Sequence, residues 1–112
     1  MKINSYSFGR IVINEKEYTN DVIILLTEVK SWWRKEGHEV CVQDIKEVVK
    51  ARPELLIIGT GASGYVVVKE ETEKFLASNK IELIAKPTQD ACKLYNDLSE
   101  SKRVVAALHL TC

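Results

Sequence analysis

Leu55-Leu56-Ile57-Ile58-Gly59-Thr60-Gly61-Ala62-Ser63-Gly64 is an unbroken aliphatic run that ends in a glycine-rich loop. Four apolar residues without alternation, preceded by Pro53 and stopped at Gly59, read as a short strand buried on both faces. Such strands belong to sheets covered by helices on each side. Downstream, strand and helix signals keep alternating. Acidic residues open a helix over about Glu70 to Ser78, with Phe75 and Leu76 turned inward and Asn79 as a left-handed cap. Ile81 to Ala85 is a second strand, and Pro87-Thr88 opens a helix with Ala91, Leu94, Tyr95 and Leu98 on one face. Arg103 to Leu110 is a third strand. This alternation calls for an open α/β sheet covered by helices, with right-handed crossovers where strands are parallel.

Upstream, Asp44 and Glu47 have capping-box spacing for a helix that carries Ile45, Val48 and Val49 and ends before Pro53. Ile3 to Phe8 and Arg10 to Ile13 flank Gly9, and the polar turn Asn14–Glu17 precedes Tyr18, which reads as a strand followed by a hairpin. Val22 to Leu26 is a further buried strand, whereas Thr27 to Glu39 shows no clear periodicity. The N-terminal hairpins either make the sheet mixed or add a second one. Without repeats or linkers, residues 1–112 are read as a single domain.

Sixteen basic and sixteen acidic residues cancel, which argues against nucleic acid as a partner, because phosphate neutralisation needs surplus cations on some face. The longest apolar runs are about five residues, short of the ~20 needed to cross a bilayer, and the start lacks a signal peptide's apolar core. Cys41, Cys92 and Cys112 form no CxxC pair and no zinc pattern with His38 and His109, so no metal and no cofactor are expected. Free thiols fit a reducing, cytoplasmic setting.

The loop Gly59-Thr60-Gly61-Ala62-Ser63-Gly64 matches G-x-G-x-x-G. Dinucleotide binding also needs a helix opening at the loop and an acid at the end of the next strand. Here Tyr65-Val66-Val67-Val68 follows instead, and the next strand ends in Ala85-Lys86. A strand exit that needs unusual backbone angles accounts for the glycines, and a looser anion nest over residues 59–64 stays open. Ser63 lacks the G-x-S-x-G spacing of a nucleophile elbow and reads as a turn residue. On the last strand His109 and Thr111 share a face while Cys112 points away. His109 is therefore a strand-end histidine or part of a ligand-facing patch. Trp32-Trp33-Arg34 lies among charges, either packed beneath the loop or offered as an interface anchor.

Taken together, Ser7-Phe8-Gly9, Trp32-Trp33, Val42–Val49, Leu56-Ile57-Ile58-Gly59-Thr60-Gly61, Ala91–Asn96 and His109-Leu110-Thr111-Cys112 resemble, in order and spacing, a small uncharacterised domain family found from archaea to humans. It includes the adipogenesis-associated domain protein and a mitochondrial complex I assembly factor. The resemblance implies a three-layer α/β fold: a central mixed, largely parallel sheet flanked by helices, with an added N-terminal β-hairpin layer. It implies no reaction. The start has no mitochondrial targeting segment, so the chain looks like a free-standing archaeal or bacterial member and the assembly-factor role is not transferred. Two functions follow. The leading one is a non-enzymatic protein-binding or assembly module, meeting a protein partner or itself through Trp32, Trp33 and Arg34. The other is a small-ligand-binding protein or enzyme in which Gly59, Thr60, Gly61, Ser63 and Gly64 nest a small anion or phosphate beside His109. Convergence of His109 with the glycine loop at the carboxyl ends of parallel strands is the geometry that would favour the second.

Overall fold

The aliphatic residues on the best-buried strands point to one of two apolar layers, and this decides the architecture. The computed structural model describes residues 1–112. Its central sheet contains β4 (Val22–Ile24), β5 (Val29–Ser31), β7 (Leu55–Thr60), β9 (Glu82–Lys86) and β10 (Val104–His109), in the order β5-β4-β10-β7-β9. β7 pairs parallel with both β9 and β10, while β4 pairs antiparallel with β10 and β5. Half of these pairings are parallel, a smaller share than the sequence suggested, because the upstream strands enter as an antiparallel extension.

Alternation along the central strands splits the core in two. Val22, Ile24, Leu55, Ile57, Val104, Ala106 and Leu108 face one side. There they meet Ala91, Cys92 and Tyr95 of α3 (Thr88–Leu98) and a three-stranded antiparallel sheet of β1 (Ile3–Ser7), β2 (Arg10–Ile13) and β3 (Lys16–Tyr18). Ile23, Leu56, Ile58, Val105 and Ala107 face the other side, against Val48 of α1 (Lys46–Ala51) and Leu76 of α2 (Glu70–Ser78). The result is three layers, with the hairpin sheet sharing a layer with α3. Short parallel strands β6 (Glu39–Val40) and β8 (Val67–Val68) bridge the loop regions outside the main sheet.

Local chemistry explains the joints. β2 and β3 are joined by Asn14-Glu15 with φ of 49° and 68°, the positive values that a two-residue hairpin turn requires. Asn96 clamps β1 to α3 twice: its Oδ1 accepts from the Ile3 amide at 2.9 Å, and its Nδ2 donates to the Ile3 carbonyl at 2.8 Å. Two caps differ from expectation. Asp44 does not start α1. Its carboxylate accepts from the Cys41 amide at 2.8 Å, closing a short 3-10 turn over Val42–Ile45 that precedes the helix. Beyond α2, Asn79 keeps a negative φ, and the left-handed residue is Lys80, with φ of 59°.

Candidate functional site

The carboxyl ends of β7 and β10 lie side by side, with Thr60 in register with His109. The helices that follow β7 and β9 leave toward opposite faces, so the layers part at this end. Crevices outside the carboxyl ends of strands are where open α/β sheets hold ligands.

The glycine loop closes over His109. Gly61 has φ of +104°, and a Cβ there would sit 2.7 Å from the Thr111 carbonyl oxygen and 2.9 Å from His109 Cδ2. A single hydroxyl ties this corner together: Thr88 Oγ1 donates to the His109 carbonyl at 2.6 Å and accepts from the Gly61 amide at 2.9 Å. A Cβ on Gly59 would lie 2.9 Å from the same oxygen and 2.8 Å from Leu108 Cδ2, which is why the next-to-last residue of β7 has no side chain. Thr88→Val keeps the shape but strips the Gly61 amide of its buried acceptor. The expected loss is about 2 kcal/mol, read as a lower urea midpoint at unchanged slope.

The loop amides are mostly engaged within the protein. Gly61 donates to Thr88, Ala62 to the Thr111 carbonyl at 2.8 Å, and Gly64 to the Gly61 carbonyl at 3.2 Å. An anion seated on them would compete with these bonds. Ser63 is exposed at the turn.

The densest polar cluster involves a residue that sequence reading did not select. Asp21 precedes β4, which runs antiparallel to β10, so its carboxylate reaches the end of β10. Oδ1 accepts from the Leu110 amide at 2.8 Å, while Oδ2 lies 2.7 Å from His109 Nδ1 and 2.8 Å from Arg34 Nη1. The side chains of Arg34 and His109 are only 6% and 9% exposed. Burial acts to raise the Asp21 carboxyl, but hydrogen bonds from His109, the Leu110 amide and Arg34 outweigh it and hold the group below its ordinary value. The carboxylate is thus ionised, and the proton in the 2.7 Å contact sits on His109 Nδ1. Arg34 Nη2, 3.1 Å from that nitrogen, directs its hydrogen to the Gly37 carbonyl at 2.9 Å instead. In the neutral ring this leaves the lone pair on Nε2, which faces Thr111 Oγ1 at 3.3 Å. A carboxylate-backed imidazole whose Nε2 acceptor is met only by the long Thr111 contact can exchange it for a proton or a hydrogen bond from a ligand hydroxyl. Cys92 offers no nucleophile here, since burial pushes its thiol up to about 12.

The aromatic candidates separate. Trp32 is 6% exposed; its Nε1 donates to the Asp44 carbonyl at 3.0 Å, and the Arg34 guanidinium stacks 4.6 Å from its ring centroid. Arg34 Nε is a buried donor with no hydrogen-bond acceptor. Of the three proposed interface residues, Trp33 alone is presented to solvent, at 84% exposure. It lines a cleft of about 620 Å3 together with Asn20, Asp21, Ser31, His109 and Thr111. Phe8 and Tyr65 are also exposed at this end of the molecule. Gly9, next to Phe8, donates to the Leu110 carbonyl. Tyr65 stacks edge-on with His38, which in turn lies 6.0 Å from His109.

With this architecture in place, comparison with known proteins places residues 3–109 in the family described as a protein of unknown function (DUF498/DUF598). The chain belongs to that family. It is similar to a conserved hypothetical protein from Pyrococcus horikoshii, 28% identical over the whole of both chains with a TM-score of 0.93. The solution structure of a Bordetella pertussis protein described as a Mth938-like domain shares the fold, at 20% identity over 97% of this chain and 85% of its own, with a TM-score of 0.73. The DUF498/DUF598 fold thus occurs in both archaea and bacteria. Among curated relatives, a Francisella tularensis protein named 13 kDa major membrane protein is 28% identical over 109 residues, covering 92% of this chain and 85% of that one. No helix in the present chain is long and apolar enough to cross a membrane.

Proposed function

We propose that this chain is a small-ligand-binding domain whose site is the cleft between Trp33 and the Asp21–Arg34–His109 cluster. The convergence of His109 with the glycine loop at the carboxyl ends of β7 and β10 carries this reading. The ligand has a flat apolar face that stacks on Trp33 and a hydroxyl or amine that donates to His109 Nε2. Ser31, Asn20 and Thr111 supply neutral hydrogen-bonding groups around it. The glycine loop does not itself line this cleft; Gly61, held by Thr88, packs against His109 and the Thr111 carbonyl and so fixes two of the residues that do. Three unpaired cysteines support a reducing, cytoplasmic location.

Native mass spectrometry of gently purified protein tests this. The expected result is a stoichiometric extra mass that is lost in Trp33→Ala. Because Trp33 is 84% exposed, that variant should keep its stability within about 0.5 kcal/mol of the parent. A bare polypeptide mass, with no thermal shift across a panel of nucleotides, sugars and phosphorylated metabolites, overturns the proposal.

The exposure of Trp33 favours one second reading, a protein-binding or assembly module. The resemblance to a family whose better-known eukaryotic members act in assembly or regulation supports it, without carrying over the complex I role itself. An exposed tryptophan suits a partner's apolar side chain. In that case Trp33→Ala loses a protein in a pull-down while its melting temperature is unchanged.

A further inference from the structure

At the opposite end of the sheet, before the amino ends of β7, β9 and β10, lies a second cleft of about 660 Å3. Four of its eight lining residues are cations, Lys50, Arg52, Lys80 and Arg103, and none is acidic. None of the four takes part in an ion pair, although the chain as a whole carries as many acids as bases. Glu54 is close, but its Oε1 accepts from the Arg103 backbone amide.

Two details distinguish this patch from scattered surface charge. Arg52 and Lys80 hold left-handed backbone, with φ of 50° and 59°, at positions where glycine is the usual occupant. The other non-glycine residues with positive φ, Asn14 and Glu15, form a hairpin turn, whereas these two both bring a cation to one cleft. Arg103 is oriented as well, since its Nη2 donates to the Arg52 carbonyl at 2.8 Å, and this fixes the guanidinium at the cleft wall. The carbonyl ends of α1 and α2 favour a cation near each. They account for Arg103 only as a cap on α1 through the Arg52 carbonyl, and they do not explain the use of left-handed Arg52 and Lys80 where glycine would serve.

We propose that this basic cleft is a second binding site, for a phosphate group carried either by a small soluble molecule or by a lipid headgroup. Oriented guanidinium and ammonium donors without competing carboxylates match the tetrahedral oxyanion of such a ligand. This site is independent of the cleft at Trp33.

Inorganic pyrophosphate and vesicles containing phosphatidylglycerol are the probes, used at low salt on wild type, Lys80→Gly and Arg103→Gln. Glycine adopts φ of 59° without strain, so Lys80→Gly folds with a melting temperature equal to or above that of the wild type and serves as the well-folded control. A soluble ligand is indicated when pyrophosphate raises the wild-type melting temperature saturably and the apparent Kd weakens by roughly tenfold in either variant, about the loss of one charge-assisted hydrogen bond. A lipid headgroup is indicated when only the vesicles sediment the protein and both variants stay in solution. The proposal is overturned when neither probe binds, or when wild type and variants respond equally.

Discussion

Asp21→Ala is expected to destabilise the protein by about 3–5 kcal/mol, the usual result of removing one partner from a buried ion pair. The loss exceeds the missing attraction because of what stays behind. Arg34 remains 6% exposed with no counterion, and His109 Nδ1 and the Leu110 amide both lose their acceptor. At roughly 4–8 °C per kcal/mol for a domain near this size, the melting temperature should fall by more than about 10 °C. A loss below about 1 kcal/mol would show that the cluster is not coupled to folding. The pH dependence follows from the same contacts. Asp21 titrates below its ordinary 3.8 in the folded state. A carboxyl with a depressed folded value contributes stability above its unfolded value and loses it as pH falls through the folded one. Wild type should therefore weaken below about pH 4, and Asp21→Asn should lack that part of the acid response. Urea titrations at pH 7 and pH 3 measure both.

The second large effect concerns adjacent residues with opposite fates. Trp32→Ala should cost about 3–5 kcal/mol, the usual range for emptying a buried tryptophan site. It removes packing against the layer that contains Ile45, Val48 and Leu56, the bond to the Asp44 carbonyl, and the ring under Arg34. Trp33→Ala, one position along, should leave denaturation unchanged. Parallel guanidinium melts of the two variants give the comparison, and equal losses would refute the division of labour between them.

Those two tryptophans also show where sequence reading stops. Trp32 and Trp33 occur in a segment without periodicity, and which ring is buried depends on Asp44, twelve residues away. β7, α2, α3 and β10 were legible because each carries its own signal: an aliphatic run, a row of first-turn acids, or an apolar stripe. Asn79 and Asp44 misled as caps because the local pattern allows two phases. Asp44 closes the turn from Cys41 and also accepts from the Lys35 amide, while Asn79 bonds back to Phe75 and leaves the left-handed position to Lys80. The site was half legible. His109 and the glycine loop were visible as motifs. Asp21 was not, since its partner is 88 residues away and its one signal is an acid placed directly before a buried strand.

The position of β10 has a consequence for synthesis. This strand follows every other element in the chain yet lies between β4 and β7, which are not hydrogen-bonded to each other. Until residues 104–109 leave the ribosome, both earlier strands present unpaired edges, and the two halves of the sheet cannot join. Folding must wait for translation to pass this point, so a stalled or truncated nascent chain is left with open strand edges of the kind that aggregate or engage chaperones.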